Sequence, residues 1–267
     1  MLHHEFPILE FDEDRNAFIR PERLIKPIDI SERAVICFFA DAIESVIAKH
    51  PHKIVASLRG EGLTLPVYEL DYNGHRVVLV QAIVGAPWAA AHIEELTAYG
   101  CRKYVACGGC GVLQKELAVG HLIIPTTAVR DEGTSYHYAA PSREISMCER
   151  TVQAIEETLT EHKVPYIKGK TWTTDAIFRE TPAKVQHRKQ EGCVAVEMEA
   201  SAFMAAAQYN QVTFGQILYA GDSLAGEEWD NRGWHSRTEI RELVLNLALS
   251  CCLKMQTTVS EKRQNAK

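Results

Sequence analysis

Two acidic side chains lie two residues apart in the stretch AVEMEASAFMAAA, where an apolar segment gives way to an alanine-rich one. Glu197 and Glu199 flank Met198 in this stretch. An ionised carboxylate only accepts hydrogen bonds, so it suits a pair of neighbouring hydroxyl groups such as the 2′,3′-diol of a ribose. The polarizable side chain of Met198 suits the apolar face of the same sugar. The structural alternative is that both acids only stabilise the N-terminus of the following helix.

Two further acids are candidates for proton transfer. Asp222 directly follows the apolar segment QILYAG, and Glu44 lies within DAIESVIA. At a strand end inside a cleft, partial desolvation favours the protonated carboxyl, which can then act as a general acid. The structural alternatives are a turn or N-cap role for Asp222 and an exposed helical position for Glu44.

The segment GGCG predicts a glycine-rich turn after the strand KYVAC. The backbone amides of Gly108 and Gly109 in such a turn can bind an anion. Cys107 and Cys110 match a CxxC pattern, but the chain has no second CxxC and no histidine pair at ligand spacing, as a zinc site requires. The eight cysteines are scattered, which is typical of reduced thiols rather than a disulfide framework. We therefore expect neither a metal nor a cofactor.

Apolar segments typical of strands alternate with helical patterns, and this alternation predicts an α/β fold. A hairpin predicted around Asn73-Gly74 makes the sheet mixed rather than purely parallel. The predicted strands span 34–39, 53–58, 75–83, 103–108, 121–129, 165–173, 193–197 and 214–221. In such folds ligands bind at the carboxyl ends of the strands, where FADAIE, GGCG, VEMEA and GDS all fall.

The chain shows no internal repeat and no linker-like segment. We expect an N-terminal arm over 1–33, a single catalytic domain over 34–257 and a C-terminal tail over 258–267.

Composition excludes several classes of function. The 35 acidic and 29 basic residues of this 267-residue chain give a net charge of −6, which argues against a general nucleic-acid binder. No apolar run reaches the roughly 18 residues needed to span a bilayer. The N-terminus lacks the basic and apolar regions of a signal peptide, so we expect a cytoplasmic protein.

The motif AVEMEASA, followed by GDS after one helix and one strand, resembles the nucleoside phosphorylase and nucleosidase superfamily. The segments RGEG, VGAPWAA, CGGCGVL and TTDAIF fall in the matching order. Members of that superfamily cleave the N-glycosidic bond of nucleosides. The resemblance implies a three-layer αβα fold with a mixed, partly barrel-like central sheet, assembled as a homodimer or a homohexamer.

The resemblance also implies roles for individual residues. Glu197, Met198 and Glu199 match the positions that bind the ribose, and Asp222 matches the aspartate that protonates a purine base. Phe178 or Ile177 matches a base-stacking position. The glutamine and arginine that recognise uracil in uridine phosphorylases are missing from the segment RETPA, which favours a purine-type base.

The phosphate site implied by the family is eroded in this sequence. Ala106 stands where an arginine is expected, and Gly109 replaces a hydroxyl-bearing residue. Arg59 alone matches, at the position of an arginine contributed by a neighbouring subunit. The spacing from Ala40 to Glu44 instead matches hydrolytic members, whose glutamate activates water. We therefore expect hydrolysis slightly ahead of phosphorolysis.

Two alternatives stay open. One is a phosphorylase whose phosphate-binding cations come from outside the aligned turns, with these candidates: Arg20, Arg23, Arg130, Arg179 and Arg188. The other is a nucleoside-binding sensor that kept the fold and lost the nucleophile site. Retention of Asp222 argues against a sensor, because binding alone needs no base-protonating acid.

Overall fold

The computed structural model describes residues 3–256 of the chain. The strands in that range are β1 (Arg33–Cys37), β2 (His52–Gly60), β3 (Leu63–Tyr72), β4 (His75–Gln81), β5 (Lys103–Val112), β6 (Leu122–Asp131), β7 (Glu144–Ser146), β8 (Tyr166–Thr174), β9 (Cys193–Glu197) and β10 (Thr213–Ser223). The helices are the single turn α1 (Pro21–Leu24), α2 (Ala40–Lys49), α3 (Ala86–Tyr99), α4 (Glu149–Glu161), α5 (Pro182–Gln190), α6 (Ala200–Asn210) and α7 (Thr238–Lys254). The predicted strands are all present, and the short strand β7 was not predicted.

The hairpin between β3 and β4 turns at the predicted dipeptide. Asn73 and Gly74 both have positive φ angles, 54° and 77°, as a type I′ turn requires. The side chain of Asp71 accepts a hydrogen bond of 2.9 Å from the backbone N–H of Gly74 and so fixes the turn. This hairpin supplies the antiparallel part of the sheet on one side of β1.

Five strands close into a barrel. β5 pairs with β10 in parallel, β10 with β6 antiparallel, β6 with β8 in parallel, β8 with β9 in parallel, and β9 returns antiparallel to β5. From β5 the sheet extends outward through β1, β4, β3 and β2. The predicted α/β fold with a mixed, partly barrel-like sheet is confirmed.

The helices flank this sheet in two groups, because α2 and α4 pack on α7 while α3 packs on α6. Helix α6, ASAFMAAAQYN, is buried from Ala200 to Ala207. Its alanines let the helix approach its neighbours closely without leaving voids. A tightly held α6 fixes the segment VEMEA that precedes it.

The segment GGCG does not form the predicted turn, because β5 continues through it. Gly108 and Gly109 pair with Leu218 and Tyr219 of β10, and Gly111 pairs with Val196 of β9. A Cβ atom on Gly111 would lie 2.8 Å from a Leu224 side-chain carbon and 3.0 Å from Val196. The glycines therefore serve close packing where the barrel closes, not a change of chain direction.

The described part of the N-terminal arm is mostly irregular, and the tail predicted over 258–267 lies outside the described residues. Within residues 3–256, no helix combines the length and the apolar character needed to cross a membrane.

Candidate active site

A cavity of about 320 Å³ opens at the carboxyl ends of the strands. Its walls come from the second half of β5, the ends of β9 and β10, and the segments that follow β1, β4 and β8. These are the positions where an α/β sheet offers backbone ends and short loops to a ligand. The predicted site segments VEMEA, GGCG and GDS all contribute to it.

Glu197 ends β9 and is tied into the protein through both carboxylate oxygens. Its Oε1 accepts hydrogen bonds from the hydroxyls of Thr173 (2.6 Å) and Thr171 (3.3 Å). Its Oε2 accepts from the backbone N–H groups of Glu199 (2.7 Å) and Ala200 (2.5 Å). Burial nevertheless raises the pKa of Glu197, with these hydrogen bonds opposing the rise. Glu197 therefore organises the start of α6 while it lines the cavity.

Glu199 is buried in the same wall but has fewer protein partners. Its Oε1 accepts a hydrogen bond of 2.7 Å from the backbone N–H of Gly85. Within residues 3–256, no side chain hydrogen-bonds to its carboxylate. Burial raises the pKa of Glu199, and the charge of Glu197 raises it further. Of the two glutamates, Glu199 thus keeps more acceptor capacity for a ligand.

Asp222 and Glu180 form an acidic end of the cavity. The indole N–H of Trp229 donates a hydrogen bond of 2.7 Å to Oδ2 of Asp222. Glu180, partly buried in the segment after β8, has its pKa raised to about 7, first by burial and then by the negative charge of Asp222. Near neutral pH, Glu180 is therefore partly protonated beside Asp222.

Arg241 brings a positive charge to the cavity from the first half of α7. Its guanidinium carbon lies 5.4 Å from the ring centre of Phe39 and 5.8 Å from that of Trp234. Its Nη1 lies 3.4 Å from each carboxylate oxygen of Asp41 on α2. Both rings are within reach of a cation–π contact with the guanidinium.

Sequence and structure comparisons identify the family. A model of the phosphorylase superfamily matches residues 32–248. The chain belongs to the phosphorylase superfamily. The resemblance found in VEMEA and GDS is thereby confirmed, and the protein is an enzyme of this superfamily.

Individual relatives agree with this assignment. The chain is 27% identical over 240 residues to a guanosine phosphorylase of Halorubrum lacusprofundi, an alignment that covers 84% of this chain and 90% of the relative. Its fold is similar to the crystal structure of a uridine phosphorylase from Vibrio fischeri, with a TM-score of 0.74, 21% identity and coverage of 88% and 99% of the two chains. It is also similar to an AMP nucleosidase from Bacteroides thetaiotaomicron, with a TM-score of 0.67, 20% identity and coverage of 89% and 91%.

This phosphorylase superfamily member brings most of the predicted site residues together. The cavity is lined by Glu197, Met198, Glu199, Asp222, Ile177, Gly108 and Gly109. Phe178, the other candidate for base stacking, is 94% exposed and does not line the cavity. The roles assigned to all of these residues stay predictions.

Glu44 and Arg59 lie away from the cavity. Glu44 is on the exposed face of α2, and Arg59 is on the exposed surface of β2 beside Glu95 and Tyr99. The spacing from Ala40 to Glu44 matches hydrolytic members of the family, whose glutamate activates water. In the structure, the side chain of Glu44 is exposed to solvent.

The five arginines proposed from sequence as alternative phosphate ligands also lie elsewhere. Arg130 donates to Ser135, Ser142 and two backbone carbonyls, and Arg188 pairs with Asp131 and Glu191. Arg20 pairs with Glu22. Neither these three nor Arg23 and Arg179 line the cavity.

Sequence reasoning missed Glu180, Trp234 and Arg241 in this superfamily member. Glu180 lies in RETPA, where the sequence indicated the missing uracil-binding residues and the candidate Arg179 but not this acid. Arg241 belongs to no motif, and only the packing of α7 against α2 brings it to the cavity. Within residues 3–256, no cluster of three or more histidine, cysteine or acidic side chains could hold a metal ion.

Proposed function

We propose that this enzyme cleaves the N-glycosidic bond of purine nucleosides, with inorganic phosphate as the attacking group. One observation carries the proposal. A single cavity holds Glu199 and Met198, which suit a ribose, together with Asp222 and Glu180, which suit proton transfer. Its volume of about 320 Å³ is at the lower end of the range for small-molecule sites.

The arrangement suggests how a nucleoside binds. Glu199 accepts hydrogen bonds from the ribose hydroxyls, and Met198 covers the sugar. The base then extends toward Asp222 and Glu180, with Ile177 beside it.

The reaction needs one bond formed and one broken. A phosphate oxygen bonds to C1′ as the C1′–N bond breaks, and the electron pair of that bond leaves with the base. Asp222 passes a proton to the base nitrogen, so the base departs neutral. Positive charge develops at C1′ in the transition state, as in glycoside cleavage.

Two observations favour a purine with a carbonyl at its six-position. Glu180 and Asp222 together can accept from the ring N–H of such a base and protonate its imidazole nitrogen. The guanosine phosphorylase relative, which this chain matches over most of its length, supports the same class of substrate.

Phosphate is favoured over water because the water-activating candidate lies outside the cavity. Glu44 is exposed on α2 and does not line the site. Hydrolysis is supported by the Ala40–Glu44 spacing and by the missing phosphate-site residues at Ala106 and Gly109. A binding protein without turnover has no use for the Asp222–Glu180 pair.

The test is base release from guanosine, inosine, adenosine, methylthioadenosine and uridine, with and without inorganic phosphate. We expect release from guanosine and inosine only when phosphate is present, with ribose 1-phosphate as the second product. Free ribose made without phosphate would instead identify a nucleosidase. Stabilisation of the protein by a nucleoside without any base release would identify a sensor.

A further inference from the structure

We propose that Arg241, on α7, is the residue that binds the phosphate dianion in this cavity. The inference rests on the proposed phosphorolysis and names the residue that makes it possible. Neither the eroded sequence motif nor the five arginines considered from sequence supplies a cation at this place.

Arg241 lies beside the glycine segment of β5. A Cβ atom on Gly109 would lie 3.3 to 3.6 Å from the ring and hydroxyl of Tyr219. The positive charge of Arg241 opposes the rise that burial causes in the pKa of Tyr219, whose hydroxyl donates a hydrogen bond of 2.9 Å to the backbone carbonyl of Trp234. Gly109, Tyr219 and Arg241 are therefore neighbours, and an anion over the glycines would face the guanidinium.

The guanidinium has hydrogen-bonding capacity left over. Arginine carries five N–H donors. Its two contacts with Asp41 are long, at 3.4 Å, and its Nε is buried without a hydrogen-bond partner. The side chain is only 14% exposed, so water compensates little of this loss. Phosphate oxygens match the planar donor edge of arginine and can accept two parallel hydrogen bonds from it.

The charges of the residues around the cavity also support Arg241 as the anion-binding residue. Among the described residues that line it, Arg241 is the only lysine or arginine, while Glu180, Glu197, Glu199 and Asp222 are acids. A dianion bound near those carboxylates would be repelled. Arg241 is therefore the lining residue that can offset this repulsion.

The same residue explains why the turn after β1 can lack an arginine. Asp41 lies in the first turn of α2, within the segment FADAIE, which contains no lysine or arginine. Because Arg241 pairs with Asp41, a cation reaches that turn from the other end of the chain.

The test measures KM for inorganic phosphate, KM for guanosine and kcat in the variant Arg241→Met. Loss of a charge-assisted contact to phosphate should raise KM for phosphate about ten- to a hundredfold. KM for guanosine should change by less than about threefold, because the variant leaves the proposed nucleoside contacts Glu199, Met198 and Asp222 unchanged. Arg150→Met is the matched control, since Arg150 is exposed on α4 and does not line the cavity.

A second variant changes the same site in the opposite direction and keeps the proposal testable if Arg241→Met does not fold. Asp41→Asn removes the carboxylate that competes for Arg241, so KM for phosphate should fall by about two- to tenfold. An unchanged or higher KM in Asp41→Asn, or an Arg241→Met value equal to that of Arg150→Met, would overturn the assignment while phosphorolysis still stood.

Failure of the proposed function gives a different result. If wild-type protein releases base without phosphate, turnover can no longer measure phosphate binding at this site. The melting temperature with and without inorganic phosphate is then measured instead. Stabilisation by phosphate that is lost in Arg241→Met and kept in Arg150→Met supports an anion site at Arg241. Equal stabilisation of both variants, or none in the wild type, overturns it.

Discussion

At the scale of single residues, neighbouring acids of the same type serve different purposes. Glu197 accepts two hydroxyl and two backbone hydrogen bonds, whereas Glu199 accepts from backbone amides alone. The structural alternative therefore holds for Glu197, which accepts hydrogen bonds from the first amides of α6, and ribose binding by either glutamate stays a prediction. Asp222 is different again, since its one described side-chain partner is Trp229.

Asp222→Asn should lower kcat for guanosine at least about a hundredfold, because an amide cannot donate a proton to the departing base. Binding of guanosine should persist, as the side chain keeps its shape. Steady-state kinetics and nucleoside-induced stabilisation would measure the two effects separately. Asp230→Asn, an exposed neighbour with the same charge change, is the control. Near-normal turnover in Asp222→Asn would remove Asp222 from the mechanism.

Glu180→Gln should remove a titration from the pH profile of kcat/KM for guanosine. The pKa of Glu180 is raised to about 7, so its ionised, accepting form is populated only above that pH. We expect wild-type kcat/KM to rise as the pH increases through about 7, because ionised Glu180 accepts from the ring N–H of the base. A glutamine does not titrate, and the same rising limb in the variant would exclude Glu180 as its cause.

At the scale of elements, the junction of β9 and α6 is where forming the site costs the most folding free energy. It buries two carboxylates two residues apart, and burial raises the pKa of both above the usual 4.5 of a glutamate. The surrounding elements offset part of this cost through the threonine hydroxyls of β8 and the first amides of α6. A site of this kind is less stable than an apolar core of the same shape.

Glu199→Gln should make folding stability less dependent on pH. Since folding raises the pKa of Glu199, the folded state holds this proton more tightly than the unfolded chain does. The contribution of Glu199 to folding stability is then complete below its pKa in the unfolded chain, and it is lost as the pH rises toward its pKa in the folded protein. Between about pH 6 and about pH 8, the melting temperature of the wild type should fall more than that of the variant. Parallel curves for the two proteins would contradict this account.

At the scale of the whole molecule, closure of the five-stranded barrel positions the cavity. β5 lies between β9 and β10, and its glycines let the three strands and Leu224 approach closely. Closure brings the ends of strands that are distant in sequence to one opening. Assembly as a homodimer or a homohexamer stays a prediction, and so does the cross-subunit role of Arg59.

Gly111→Ala should destabilise the fold by about 1–3 kcal/mol, because a methyl group would overlap Leu224 and Val196 at the barrel seam. Gly62→Ala is the matched control, since a Cβ atom there meets no heavy atom within 4 Å. Denaturant unfolding of both variants would measure the difference. Equal stabilities would show that the seam can relax to admit a side chain.

The sequence by itself determined the order of the elements, the Asn73-Gly74 hairpin and the residues VEMEA and GDS, because each depends on neighbours along the chain. Periodicity, turn chemistry and short motifs are local properties, and they survive without knowledge of packing. The prediction of a turn at the glycines of β5 was wrong, because it too depended only on neighbours along the chain. Glycine is as suitable for a close strand contact as for a change of direction, and only the barrel distinguishes the two.

Tertiary structure alone decided which charged groups share the cavity. Glu44 has the spacing of a water-activating base, yet its face of α2 points to solvent. Arg241 has no motif and lies 200 positions from its partner Asp41, yet the packing of α7 on α2 brings its charge into the site. The physical reason is that a charge acts over a few ångströms of space, whatever its distance along the chain.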